Sequence, residues 1–523
     1  MEPAAPQSRP RGLVAKYEAL ASRYPMGQRL ARGGLWALAG SIISQGMAFA
    51  ASIACARLLG QTTYGELGMV RSTVATLGLF AGMGLGLTGI KHIAEFREAD
   101  PGRAGRIVRL CSVVAIFSCS LMAVALLVAA PVVAHRALAN AGLTVPLLFG
   151  AALLFATAYD GAQKGILAGF EAYREIAQVS ALGGAVLFVL VLVGVHVAQL
   201  NGAILGYVAG SSLTLVLNRV AIHQQCRRHG VPLDGHDFWQ ERGVLVSFSL
   251  PALLSGVVVT PAAWACNALL VNQPGGYAQM GILSACDQVK MLAAFIPASV
   301  MQCLLPVLSA QFGAGGEAPL GHRLRMVNAY LAICILGVIT GLLLFLLPAV
   351  LAIFGRDFGN GRVALVIALC VLLPDGYLRG IGRLLQARGL LWLTFAIGLA
   401  VTVVLLGAAV LLVRFGAAGI ALSTLLGVVA ATVVFTPIAY RALGLMQWLK
   451  HDALIVGLLA AALAPGIWAN LHQAQGVAWA GALVVSISLL ALVAVLLGRW
   501  LRHPPLEAPP ERGADVVVGE ALP

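Results

Sequence analysis

Residues 389–440 read GLLWLTFAIGLAVTVVLLGAAVLLVRFGAAGIALSTLLGVVAATVVFTPIAY. Arg414 is the one charged side chain in this stretch. A membrane crossing needs about 20 mostly apolar residues. The stretch holds two such lengths, 389–413 and 417–440, on either side of Arg414-Phe415-Gly416. In hydrocarbon every backbone N–H and C=O must be bonded within its own segment, so each length is a helix. The pair is a helical hairpin that enters a bilayer and returns.

Working outward, the same signature recurs along the whole chain. Further spans fall at 34–56, 67–90, 110–134, 146–170, 178–198, 202–222, 244–271, 278–308, 326–353, 362–386, 452–470 and 477–497. The composition agrees: 60% hydrophobic and 11% charged residues, with a mean hydropathy of +0.91. The expected fold class is therefore all-α integral membrane, with about 14 transmembrane helices. An even number of spans puts both termini on one side.

The formal net charge is +13, from 34 Lys+Arg against 21 Asp+Glu. Its distribution identifies it as a topology signal and excludes nucleic acid as the implied partner. About 24 of the basic residues fall on the side of the termini, six of them in the tail from Arg9 to Arg32. Five more sit in the 91–109 loop, at Lys91, Arg97, Arg103, Arg106 and Arg109. Only Arg57, Arg136, Arg356, Arg362 and Arg414 fall on the opposite side. The positive-inside rule then places both termini in the cytoplasm. Membrane lipid is an expected contact of the same charges.

The nine cysteines are scattered singly, without Cys-x-x-Cys or Cys/His metal spacing, so no metal and no cofactor are expected. No cleavable signal peptide precedes the first span. The tail before it has an apolar stripe at Leu13, Tyr17, Leu20 and Tyr24 beside Arg11, Lys16 and Arg23. That suits either a short interfacial helix or a solvated tail. Trp36, Trp392, Trp448, Trp479 and Trp500 sit near span ends, as interfacial anchors do.

Residues 40–80 and 253–293 align without gaps at an offset of 213. Both copies carry a short glycine-bearing turn, a tyrosine (Tyr64, Tyr277) and a glycine four residues on (Gly68, Gly281). Both start on the cytoplasmic side, so the repeat is parallel, with six spans per copy. The expected organisation is a basic tail (1–33), an N-lobe (34–222), an inter-lobe loop (223–243) and a C-lobe (244–440). Two further C-terminal helices (441–498) and a tail (499–523) follow. Two six-helix lobes facing each other imply a substrate site between them.

Ionisable groups inside spans are expensive, so each needs a partner or a purpose. Asp160 and Lys164 are one turn apart, as are Asp287 and Lys290; Asp375, Arg379 and Arg383 follow at intervals of four; Arg71 stands alone. These spacings put each acid and its base on one helix face. Five bases against three acids leave a surplus of about two positive charges. A cationic cavity formed by Arg71, Lys164, Lys290, Arg379 and Arg383 suits an anionic ligand, and arginine suits phosphate oxygens. Asp160, Asp287 and Asp375 are candidates for ion coupling or charge pairing. Arg71 corresponds to Ser284 under the offset and is the sharpest candidate, the alternative being that it snorkels to the outer surface.

Other motifs carry less. Gly82-Met83-Gly84-Leu85-Gly86 lies inside a span with no strand before it, so it is not a dinucleotide fingerprint. The Gly161, Gly165, Gly169 series reads as a close helix contact. Pro251, Pro261, Pro297, Pro306 and Pro374 would kink or break spans. There is no phosphate-binding loop of the ATPase type and no nucleophile–base pair, so an enzyme is not expected.

The segment Ala56-Arg57-Leu58-Leu59-Gly60-x-x-x-Tyr64-Gly65, the glycine-rich second span and the basic loop with Asp100-Pro101 resemble the start of polysaccharide transporters. The later block Gly276-Tyr277 … Ile296-Pro297 … Leu305-Pro306-Val307-Leu308-Ser309 resembles them too. These belong to the superfamily that joins multidrug extruders, oligosaccharide-lipid flippases and polysaccharide transporters. The resemblance implies a Wzx-type flippase. Its substrate would be an undecaprenyl-pyrophosphate-linked glycan, moved by alternating access for O-antigen, capsule or exopolysaccharide synthesis. Polymerase and chain-length proteins of the same pathway would be its partners. A cation-coupled multidrug exporter would want an acidic, aromatic cavity instead. A lipid II flippase shares the span number and the cationic cavity. A membrane glycosyltransferase would want a large outer loop or catalytic carboxylates.

Overall fold

The computed structural model describes residues 25–232, 237–245, 249, 258–312, 335–387, 391–443, 446, 449–473 and 475–502. The apolar stripe of the N-terminal tail, Trp448, Pro251 and the last 21 residues lie outside them. The described residues form helices and turns and no strand. In chain order the helices are α1 (Pro25–Gly82), α2 (Leu85–Phe96), α3 (Pro101–Val132), α4 (Thr144–Gly169), α5 (Tyr173–Arg228), α6 (Val259–Val271) and α7 (Gly276–Phe312). Then come α8 (Ile335–Phe345) and α9 (Leu347–Phe354), followed by α10 (Arg362–Cys370), α11 (Leu372–Ala387), α12 (Leu391–Leu412), α13 (Gly416–Leu443), α14 (Leu449–Leu471) and α15 (Val477–Arg502).

Seven described helices are long and apolar enough to cross a membrane, and three of them run for 57, 56 and 51 residues. At 1.5 Å per residue these three would reach about 75–85 Å, against a hydrocarbon core of about 30 Å. Each must therefore fold back. α1 does so at Gly60, where φ is 76°. α5 does so at Ala198 and Gln199, and the third at the turn Val413–Phe415. The element order is thus consistent with the expected fourteen crossings.

Several boundaries differ from expectation, each for a local reason. The second span breaks at Met83 (φ 45°) and Gly84 (φ 67°) before continuing as α2. The glycine cluster read as span interior is therefore a helix break. The 91–109 loop is mostly helix: only residues 97–100 separate α2 from α3. Asp100 caps α3 by accepting from the Arg103 backbone N–H at 2.9 Å, with Pro101 in the first turn. The tenth span breaks after Cys370, whose carbonyl Pro374 cannot bond for want of an N–H. The ninth bends by 71° between α8 and α9. There Pro348 removes the donor that the Leu344 carbonyl would use. Asn470 of α14 supplies it from another helix, Nδ2 donating to that carbonyl at 2.7 Å.

The first six crossings pack on one another, and so do those from α6 to α13. The two repeat copies meet directly. A Cβ on Gly65 would overlap the Tyr277 carbonyl, and a Cβ on Gly281 would overlap the Gln61 carbonyl. The glycines noted as repeat landmarks are thus where the copies approach each other. More contacts join the halves at the face of the bundle away from the chain termini. Arg57 donates from Nε to the Ile353 carbonyl (2.7 Å) and from a terminal nitrogen to Ala352 (3.2 Å), capping the end of α9. Beneath it Phe49 meets Phe354 edge-on at 5.9 Å, and Tyr64 meets Phe358 at 6.0 Å. Tyr277 donates to the Leu138 carbonyl at 2.6 Å.

Candidate functional site

Arg71 lies eleven residues past the Gly60 turn in α1. Its guanidinium stands over the ring of Tyr207 from α5, 5.1 Å from the centroid. Tyr64 and Cys55 are its other close polar neighbours. Among the described residues it has no carboxylate and no hydrogen-bond partner. The next residues face the other half of the molecule: Ser72 accepts from Asn267 (3.1 Å) and Thr73 from Trp264 (2.9 Å). Ser284, its counterpart under the repeat offset, abuts Gly68 instead. Arg71 therefore points among the first six crossings, beside the seam.

Asp160 and Lys164 form an ion pair at 2.7 Å on α4, and Asn218 of α5 donates to the other Asp160 oxygen at 2.8 Å. α4 is held close to α2 because a Cβ on Gly165 would overlap the Gly86 backbone. Gly169 makes the same close approach to Gly89, whereas a Cβ on Gly161 would meet open space, so two of the three glycines are helix contacts. In the second half, Asp287 and Lys290 pair at 2.6 Å on α7, and Asp375 and Arg379 at 2.7 Å on α11. Asp375 also acts electrostatically on Lys290, so the two pairs influence each other. Arg379 is 74% exposed at its side chain, against 30% for Asp375. Arg383 lies on α11, and its side chain is outside the described residues.

Three acids pair with three bases, each within one helix, and Arg71 stands outside these pairs among the described residues. Spacing alone had missed Tyr207 and Asn218. A signal for them exists: Tyr207, Ser211, Thr214 and Asn218 recur at steps of four, three and four along α5. That is one helix face, and a polar face on a crossing helix belongs inside the bundle. Tyr207, Ser211 and Asn218 are indeed buried.

Residues 30–312, just over half of the chain, match a family described as "Polysaccharide biosynthesis protein". The chain belongs to that family. The matched region contains Arg71, Tyr207, Asp160, Lys164, Asp287 and Lys290, and excludes the α11 charges. Among curated relatives, the "EPS I polysaccharide export inner membrane protein EpsE" of Ralstonia nicotianae is 27% identical over 383 residues, covering 70% of this chain and 83% of that one. Its counterpart from Ralstonia solanacearum is 26% identical over 385 residues, with the same coverage. Among solved structures, an inward-facing MATE family multidrug resistance transporter of the MOP superfamily superposes with a TM-score of 0.62 at 16% identity. It covers 79% of this chain and 99% of its own. A MOP superfamily transporter from Pyrococcus furiosus gives 0.59 at 16% identity, covering 80% of this chain and 96% of its own. The fold is that of MOP superfamily transporters, in a multi-pass inner-membrane protein.

Proposed function

We propose that this protein is a Wzx-type flippase of surface-polysaccharide synthesis, a transporter rather than an enzyme. It takes an undecaprenyl-pyrophosphate-linked oligosaccharide from the cytoplasmic leaflet and presents it on the outer leaflet. The chain termini are cytoplasmic, as the basic residues favour, so the face that carries Arg57 is periplasmic. The two lobes, 34–222 and 244–440, rock about their glycine seam, and the polymerase and chain-length proteins receive the product. One observation carries the reading: Arg71 is a guanidinium inside a crossing helix, against a tyrosine ring and without a carboxylate partner among the described residues. A cation left unpaired there favours an anion and disfavours a cationic drug. An inside-negative potential also drives each negative charge outward by about 2.3 kcal/mol per 100 mV. The relatives named for polysaccharide export support the same cargo class.

The test is complementation of a deletion strain. Lipid-linked repeat units should build up in the inner leaflet of the deletion, clear with the wild type, and stay high with Arg71→Ala. Absence of build-up together with lost export of organic cations would replace this reading by the multidrug exporter. Build-up of lipid II alone would replace it by a peptidoglycan flippase.

A further inference from the structure

Tyr207 is 7% exposed, and its hydroxyl has no hydrogen-bond partner among the described residues. A buried tyrosine hydroxyl normally finds one. Leaving it unpaired carries the desolvation penalty of a buried donor. Its neighbour Tyr64 does not share the problem, since Tyr64 and Ser52 share a hydrogen bond of 2.5 Å. Packing does not explain the Tyr207 hydroxyl either. A phenylalanine ring would fill the same space and stand under the same guanidinium. Arg71 sits over that ring, also without an acceptor. Two donors from two helices thus lie side by side at one depth with nothing to donate to. Their surroundings, Cys55 and Tyr64, carry no negative charge at neutral pH.

We propose that Tyr207 and Arg71 form one oxyanion subsite within the first six crossings. The inference rests on the reading of Arg71 as an anion contact and adds a second donor to it. The guanidinium takes two oxygens of the anion and the tyrosine hydroxyl donates to one of them. The fixed hydroxyl makes the subsite selective for an oxygen acceptor at that point, which a lone arginine is not. Phosphate oxygens of the lipid carrier and the carboxylate of an acidic sugar present the same chemistry. The experiment separates them.

The full chain in lipid nanodiscs is titrated calorimetrically with inorganic pyrophosphate and, in a separate arm, with glucuronate. Wild type, Tyr207→Phe and Arg71→Gln are compared, and the thermal midpoint of each empty protein is recorded. Tyr207→Phe should weaken binding about 5–20-fold while leaving the midpoint unchanged or higher, because the lost hydroxyl bonded to nothing. Arg71→Gln should abolish binding. Loss in the pyrophosphate arm supports the subsite with carrier phosphate as its ligand, and loss in the glucuronate arm supports it with an acidic sugar. If Tyr207→Phe binds like wild type while Arg71→Gln does not, the tyrosine inference falls and the Arg71 reading survives. If wild type binds neither anion, or Arg71→Gln binds both as wild type does, the two fall together.

Discussion

The charges inside this membrane protein divide into two kinds. Asp160 holds Lys164 at 2.7 Å and accepts from Asn218, so that cluster is internally neutral. Arg71 has only an aromatic face. The two kinds should respond differently to mutation. Asp160→Asn strands the Lys164 ammonium and should lower stability by about 1–2 kcal/mol, the pair being partly exposed. A second change, Lys164→Met, should restore most of the loss, since removing both charges leaves nothing unpaired. Thermal denaturation of the single and double variants in detergent reads this directly. Recovery of stability without recovery of transport would show that the pair also works in the cycle. At Arg71 no second-site charge removal is available to compensate.

Helix breaks are where sequence-local chemistry hands over to its neighbours. Pro348 deprives the Leu344 carbonyl of its helical donor and bends the ninth crossing by 71°. Asn470 of α14 fills the gap, and also donates to the Gly466 carbonyl of its own helix at 2.8 Å. Phe345 and Trp479 stack edge-on at 5.7 Å alongside. Helices α14 and α15 thus support a bend in the second half. Asn470→Ala should destabilise the protein by about 1–3 kcal/mol through the buried carbonyl it strands. Its cost should shrink in a Pro348→Ala background, where a backbone N–H is again available to that carbonyl. A double-mutant cycle on the thermal midpoint measures the coupling, and simple additivity would deny it.

For the whole molecule, the two halves touch where side chains are missing. Gly68 leaves room for Ser284, and Gly65 and Gly281 let backbones meet. Arg57 caps α9 across the same face, and four aromatic rings lie beneath it. A rocking transporter must part these surfaces once per cycle. In a background whose native cysteines are replaced, Gly68→Cys with Ser284→Cys should form a disulfide under mild oxidation and stop transport. Reduction should restore it. Free transport by the cross-linked protein would show that this seam stays closed throughout the cycle. The inter-lobe loop is tied down at the opposite end, where Glu241 lies between Arg103 and Arg106 at 3.1 Å from each. That ties the loop to the first half.

The crossings were legible in the sequence because burial in hydrocarbon is a local demand: each segment must be apolar and satisfy its own backbone. The run 389–440 shows this without reference to any other part of the chain. The acid–base pairs were legible for the same reason, since one helical turn brings Asp160 to Lys164 and Asp287 to Lys290 wherever the helix sits. The repeat announced Gly68 and Gly281 but not that each abuts the other copy, Gly68 at Ser284 and Gly281 at Gln61. Its offset matched Arg71 to Ser284, although one points to Tyr207 and the other to Gly68. Only the tertiary structure decided which charge goes unpaired and which hydroxyl goes unanswered. Spacing along one helix fixes direction within that helix alone. The partner of a side chain comes from helices hundreds of residues away, packed at distances that no local periodicity encodes.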